Sequence, residues 1–214
     1  MHDSPPIYLL PGMTADYPVY ARLLPLVAGA SVASYIAPLP NESLASYAAR
    51  MAPRFTADGY LGGVSFGGIV ALEIARLIRP QGCILISSVQ SPRQLPPWLR
   101  IGRALGGRNS SRLLRLFGGT AALVPDRIRT GSTIRVAKLS GTSGAWHRWA
   151  TSAVLDWRPE GEFAFPIVHI HGDADRTFPL RYVRPDIVVR RGRHSLPASH
   201  PVETANAINA FVSA

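Results

Sequence analysis

The chain alternates short apolar runs with longer helical patterns along most of its length. We predict strands at the apolar runs 7–10, 32–36, 60–64, 82–87, 167–171 and 187–190. We predict helices at 17–28, 43–55, 66–78 and 201–212. Short β-branched runs separated by helices are typical of a parallel sheet that is covered by helices on both faces. The sequence therefore predicts an α/β fold with about six mostly parallel strands.

One serine lies where a predicted strand meets a predicted helix. Ser65 is the centre of a Gly-Val-Ser-Phe-Gly sequence between the strand at 60–64 and the helix at 66–78. In such a sharp turn, the flanking glycines permit strained backbone and a close approach of neighbouring chain. We therefore predict that the Ser65 hydroxyl stands clear of its surroundings as a nucleophile.

Candidate acid and base residues follow two later strands. Asp173 and Asp175 come just after the strand at 167–171, and His194 follows the strand at 187–190. Residues beyond the carboxyl ends of parallel strands lie at the edge where open α/β sheets build their sites. We predict Asp175 as the acid and His194 as the base. Asp173 is the competing acid, although it would also suit a turn in which it binds its own backbone.

With these segments the chain resembles the α/β-hydrolase superfamily, from residue 7 to the last helix. The matching segments are Ile-Tyr-Leu-Leu-Pro-Gly-Met from residue 7, the Ser65 motif, His-Gly-Asp-Ala-Asp-Arg-Thr-Phe-Pro from residue 171 and Gly-Arg-His-Ser-Leu from residue 192. Ser65, Asp175 and His194 follow the superfamily's chain order of nucleophile, acid and base. The resemblance implies a minimal α/β-hydrolase fold, because a first strand at residue 7 leaves no room for the two earlier strands of larger members.

The resemblance also implies which backbone amides would bind an oxyanion. These are the N–H groups of Met13 and Phe66. Many members of the superfamily have His-Gly after the first strand, whereas this chain has Pro11 and Gly12. The difference leaves the role of the Met13 backbone intact.

The segment from about 91 to 162 interrupts the alternation of strands and helices. In the superfamily an insertion at this point forms a lid over the pocket, so the resemblance implies a helical lid here. Residues 91–150 carry ten Arg and one Lys against one Asp, a net charge of +10 that equals the charge of the whole chain. The candidate substrate-binding residues of the lid are Trp98, Trp146 and Trp149, for which core packing is the alternative.

Several interpretations of this basic charge stay open. The arginines can form a solvated face, because only one of the 23 basic residues is Lys. Alternatively, they attract an anionic substrate such as an acyl-CoA, or an anionic membrane surface. We do not expect nucleic-acid binding, because no nucleic-acid-binding motif accompanies the charge.

The composition is that of a globular protein. With 214 residues, 47% of them hydrophobic, the chain can bury a large core, and no repeat or linker divides it. We therefore predict a single domain, 1–214.

The amino terminus lacks a signal-peptide pattern, so cytoplasmic residence is expected. We predict no metal and no cofactor, because neither metal-ligand spacing nor a phosphate loop occurs, and we expect His169 and His171 to be structural.

The predicted side chains define a chemistry. A neutral imidazole can take the proton of the Ser65 hydroxyl, and a carboxylate fixes the tautomer of that imidazole. We expect a serine hydrolase that cleaves a small-molecule carboxylic ester or thioester through an acyl-serine, with the acyl group under the lid. A cofactor-free lyase or cyclase and a non-catalytic small-molecule-binding protein are the alternatives, because fold does not fix chemistry.

Overall fold

The computed structural model describes residues 4–14, 17–104, 144–159, 161 and 163–214. In these residues one six-stranded sheet forms from β1 (Ile7–Leu10), β2 (Ala30–Val32), β3 (Tyr60–Val64), β4 (Gly82–Ile86), β5 (Ile167–Gly172) and β6 (Ile187–Val189). The strand order is β2-β1-β3-β4-β5-β6, and every neighbouring pair is parallel. The predicted sheet of about six mostly parallel strands is confirmed.

Helices cover both faces of this sheet. They are α1 (Leu44–Met51), α2 (Phe66–Ile78), α3 (Pro97–Ala104), α4 (Gly144–Leu155), α5 (Leu196–Ser199) and α6 (Pro201–Val212). One apolar core contains residues of α1, α2 and α4, and a second core on the other face contains residues of α6. All residues of β3 and β4 are buried, as expected for central strands of a sheet covered on both faces.

The second strand is shorter and begins earlier than the sequence predicts. We expected a strand at 32–36, whereas β2 spans Ala30–Val32. β2 lies at the edge of the sheet, and its residues are partly buried or, at Ser31, exposed, so apolar content is a weak guide to its position. Beyond β2, the Tyr35 hydroxyl reaches the carbonyl of Pro11 in the loop after β1. Ala33, Tyr35 and Ile36 are partly buried against the core that contains residues of α1, α2 and α4.

The helix predicted at 17–28 is wrong. Two short 3-10 helices occupy this part of the chain, Tyr17–Tyr20 and Leu24–Leu26. Pro18 and Pro25 explain the difference, because a proline has no N–H for a helical hydrogen bond and its ring crowds the preceding turn. The helix predicted at 43–55 is likewise shorter, with 3-10 geometry from residue 52 to 54, where Pro53 lies. The helices predicted at 66–78 and 201–212 are confirmed.

Most of the predicted lid lies outside the described residues. Of the segment 91–162, the structure describes α3, α4 and their flanks, but not residues 105–143, which hold seven of its twelve basic residues. Within the described ranges, no helix combines the length and the apolar character that a membrane span requires.

Cys83 is fully buried in β4, and this burial raises the pKa of its thiol.

Candidate active site

Loops at the carboxyl edge of the sheet bring the predicted site residues together. Met13 follows β1, Ser65 follows β3, Asp175 follows β5 and His194 follows β6. Since the strands are parallel, all four loops leave the same edge of the sheet. The structure places the Ser65, His194 and Asp175 side chains in one hydrogen-bonded line.

The backbone of Ser65 has an unusual conformation. Its φ is 56° and its ψ is −120°, between the end of β3 and the start of α2. A non-glycine residue in such a region costs on the order of 1–3 kcal/mol, so the surrounding structure has to hold it. Its N–H donates to the carbonyl of Ile86 at 2.9 Å, and the hydroxyl of Ser88 donates to its carbonyl at 2.7 Å. Ser65 thus forms the strained strand-to-helix turn that the sequence predicts.

The imidazole of His194 connects the serine to a carboxylate. Its Nδ1 lies 2.8 Å from Oδ2 of Asp175, and its Nε2 lies 2.8 Å from Oγ of Ser65. Since a carboxylate only accepts hydrogen bonds, Nδ1 carries the proton, and Nε2 is left to accept the hydroxyl proton of Ser65. The arrangement can therefore move a proton from Ser65 to His194.

The protein keeps the Asp175 carboxylate ionised. Its side chain is fully buried, which raises its pKa, but the hydrogen bond from His194 and the electrostatic interaction with its ring outweigh the burial, and the pKa lies below its ordinary value. The other oxygen, Oδ1, accepts the N–H groups of Thr177 and Phe178 at 2.8 and 3.0 Å. The competing Asp173 is exposed on the same loop, and His194 contacts Asp175 instead.

The two predicted oxyanion amides belong to residues beside Ser65. Phe66 is the first residue of α2, so its N–H is one of those that no carbonyl of the same helix can bind. Met13 follows Gly12, and a Cβ added to Gly12 would lie 3.8 Å from the Cβ of Ser65. Their role as an oxyanion hole stays a prediction.

Gly67 allows the turn at Ser65 to lie this close to the loop after β1. A Cβ at this position would collide with the carbonyl oxygen of Leu10 and would lie 2.5 Å from that of Pro11. Both atoms belong to the backbone, so no side-chain rotation relieves the contact. The second glycine of the Ser65 motif is therefore required by close packing rather than by a positive φ.

Gly67→Ala should lower the free energy of unfolding. We expect a loss of about 1–3 kcal/mol or more from overpacking, since the turn at Ser65 and the loop after β1 have to separate. Urea denaturation measures the effect. Gly144→Ala is the matched control, because among the described residues its added methyl group would meet only the tip of the Arg148 side chain, at 3.2 Å. Equal effects of the two substitutions would contradict this explanation of Gly67.

The three predicted substrate-binding tryptophans lie in two places. Trp98 is exposed and lines a groove with Asp173, Asp175 and other residues of the acid loop. Trp146 is buried, and Trp149 is partly buried, in an aromatic cluster made of Tyr35, Tyr47, Phe66, Trp146 and Trp149. Whether any of them contacts a substrate stays a prediction.

Contacts within the site also involve residues that the sequence did not single out. Ser88 supports the carbonyl of Ser65, and the hydroxyl of Tyr20 bridges the ends of β1 and β3. Tyr35 binds the carbonyl of Pro11. No motif marks these residues, because each reaches the site from a distant part of the chain.

A pair of buried histidines lies behind the acid. His169 Nε2 is 3.2 Å from His171 Nδ1, and His171 Nε2 donates to the carbonyl of Phe178 at 2.8 Å. Burial, and then the neighbouring His171, lowers the pKa of His169 to about 4, although Asp186 opposes this shift. Burial also lowers the pKa of His171, although Asp175 opposes it. Both imidazoles are therefore neutral at pH 7.

The protein should lose stability in mild acid because of this pair. In the unfolded chain a histidine has a pKa of about 6.5, so below that pH the unfolded state binds more protons than the folded state. Stability is thus complete above pH 6.5 and falls toward pH 4, by about 3 kcal/mol for His169 alone. Urea midpoints between pH 8 and pH 4.5 measure how steeply the free energy of unfolding depends on pH. His169→Gln should make this dependence less steep, whereas His200→Gln, at a half-exposed position, should not. Equal slopes in the wild type and both variants would refute the role given to the histidine pair.

The fold is shared with solved enzyme structures at low sequence identity. An esterase from Thermogutta terrifontis is 18% identical with a TM-score of 0.68, over 98% of this chain and 89% of that one. A hydrolase from Pseudomonas aeruginosa is 14% identical with a TM-score of 0.72, over 100% and 92%. RedJ, a thioesterase of the prodiginine pathway in Streptomyces coelicolor, is 18% identical with a TM-score of 0.57, over 99% and 89%. No family model and no curated protein matches this sequence.

Among the described residues, no three His, Cys, Asp or Glu side chains are grouped so that they could hold a metal ion.

Proposed function

Because the chain has the α/β-hydrolase fold, we propose that it is a serine hydrolase that cleaves carboxylic esters or thioesters through an acyl-serine intermediate. The observation that carries the proposal is the line from Ser65 Oγ through the His194 ring to Asp175, with 2.8 Å at each step. The strained turn at Ser65 adds support, since strained backbone is concentrated at functional sites.

In the acylation step Ser65 Oγ attacks the carbonyl carbon of the substrate. Its proton moves to Nε2 of His194, and the carbonyl oxygen becomes an oxyanion. The amides of Met13 and Phe66 would donate to that oxygen, each lowering the barrier by about 3 kcal/mol. Asp175 stabilises the imidazolium that forms and stays ionised itself.

Collapse of this intermediate releases the leaving group. His194 gives its proton to the departing alcohol or thiol, and an acyl-serine remains. A water molecule then attacks the acyl-serine carbonyl, with His194 as base, and forms a second tetrahedral intermediate. Collapse of that intermediate, with return of the proton from His194, restores the Ser65 hydroxyl and releases the carboxylic acid. Neither half of the cycle needs a cofactor.

Covalent labelling together with turnover tests this function. A fluorophosphonate probe should label the protein once, at Ser65, and p-nitrophenyl butyrate and butyryl-CoA supply an ester and an anionic thioester. Labelling with turnover supports the proposal. Labelling without turnover of either substrate would point to the lyase or cyclase, and failure to label would point to a binding protein.

The same two substrates test the basic segment 91–150. If butyryl-CoA reacts faster than the neutral ester and added salt slows its reaction, the result would support attraction of anionic substrates by this segment.

A further inference from the structure

Aromatic side chains bind the carbonyl groups on both sides of the Met13 amide. The Tyr35 hydroxyl donates to the carbonyl of Pro11 at 2.5 Å. The indole N–H of Trp146 donates to the carbonyl of Met13 at 2.7 Å. The two rings also pack against each other, with centroids 4.7 Å apart.

These two bonds restrict the peptide group that carries the Met13 amide. Each peptide unit is planar, so a bound carbonyl fixes the direction of its whole plane. The peptide plane between Gly12 and Met13 lies between the two planes whose carbonyls are bound. It can turn only about the axis that joins the Cα atoms of Gly12 and Met13. Such a turn changes ψ of Gly12 and φ of Met13 in opposite senses. The φ of Met13 is not positive, and a reversed plane would drive it into the region that L residues avoid.

The same rings contact the other predicted oxyanion residue. The centroid of the Phe66 ring lies 6.1 Å from that of Tyr35 and 6.1 Å from that of Trp146. Trp146 belongs to α4, which is part of the segment 91–162 predicted as a lid. A single group of side chains therefore packs against both residues whose amides face the reacting carbonyl in the proposed mechanism.

We propose that Tyr35 and Trp146 are positioning residues that orient the Met13 amide toward the oxyanion, acting through the carbonyls of Pro11 and Met13. The proposal rests on the proposed function. Loss of either bond lets a flanking plane rotate, so the amide loses alignment in the transition state while substrate binding changes little. Such a defect lowers kcat and leaves KM near its wild-type value.

The test removes one donor at a time and keeps the ring. Tyr35→Phe removes the hydroxyl, and replacing Trp146 with 3-benzothienylalanine removes the N–H and preserves the shape of the indole. Tyr47→Phe is the matched control, because its hydroxyl donates at 2.9 Å to the carbonyl of Ile36 within the same aromatic cluster. With p-nitrophenyl butyrate, the first two variants should lose about tenfold or more in kcat, with KM within about twofold, and Tyr47→Phe should retain its kcat.

A second readout separates positioning from a general loss of structure. A trifluoromethyl ketone adds to Ser65 Oγ as a tetrahedral oxyanion, so its Ki should rise in Tyr35→Phe and in the Trp146 variant as kcat/KM falls. Wild-type kcat and Ki in both variants would overturn the proposal, as would an equal kcat loss in Tyr47→Phe. Failure of the proposed function looks different, because the wild type itself would then neither bind the ketone covalently nor turn over the ester.

Discussion

Ser65→Ala should lower kcat/KM for esters by about four to six orders of magnitude and abolish labelling by a fluorophosphonate. The alanine cannot form the acyl-serine, and His194 is left with no hydroxyl to deprotonate. Direct attack of water on the substrate would then be accelerated only by substrate binding and by the backbone amides that bind the oxyanion. Steady-state kinetics, with labelled protein detected on a gel, measure both effects.

Ser88→Ala is a demanding control for this substitution. The Ser88 hydroxyl donates to the carbonyl of Ser65 at 2.7 Å. The substitution therefore removes support from the same turn without removing the nucleophile. We expect it to lower the free energy of unfolding by about 1–3 kcal/mol, as for a buried hydrogen bond that loses one partner, and to remain labelled. Normal turnover in Ser65→Ala, with the substitution verified by mass spectrometry, would exclude an acyl-serine mechanism.

Asp175→Asn should reduce turnover by about three to four orders of magnitude. An asparagine can turn its NH₂ group toward Nδ1 of His194, which favours the tautomer with the proton on Nε2. That tautomer cannot accept the proton of Ser65. The variant should fold, because the side-chain oxygen that accepts from Thr177 and Phe178 has an equivalent in asparagine.

The same assay decides between the two carboxylates after β5. Asp173→Asn changes an exposed residue on the same loop and should leave kcat/KM within about twofold of the wild type. A large loss in Asp173→Asn together with a small loss in Asp175→Asn would transfer the role of the acid to Asp173.

The strand-turn-helix around Ser65 could be predicted from the sequence because its signals are local. The apolar run of β3, the glycines of the turn and the apolar pattern of α2 all lie within twenty residues. The helix predicted at 17–28 failed for an equally local reason. Its apolar residues have helical spacing, but Pro18 and Pro25 limit the chain to single 3-10 turns. In this segment the positions of the prolines therefore predict the backbone geometry better than hydrophobic spacing does.

The contacts that orient the site could not be predicted from the sequence. Trp146 binds the carbonyl of Met13 across 133 positions, and Tyr35 binds that of Pro11 across 24. Nothing about an aromatic residue reveals which distant carbonyl its polar atom will reach, because packing of the whole domain decides it. The sequence analysis predicts Asp175 rather than Asp173 as the acid, but the contact with His194 itself depends on where the loop after β6 brings that ring.

The single buried thiol gives this protein a native probe of its own unfolding. Cys83 lies in β4, which is paired on both sides by β3 and β5. A maleimide can reach its sulfur only when these strands separate, so opening events close to global unfolding would control the labelling rate. Because no other cysteine competes for the reagent, the rate of mass increase in plain buffer reports the population of opened molecules. Ligands that bind the folded state would slow this labelling, which turns the thiol into a screen for substrates that requires no knowledge of the reaction.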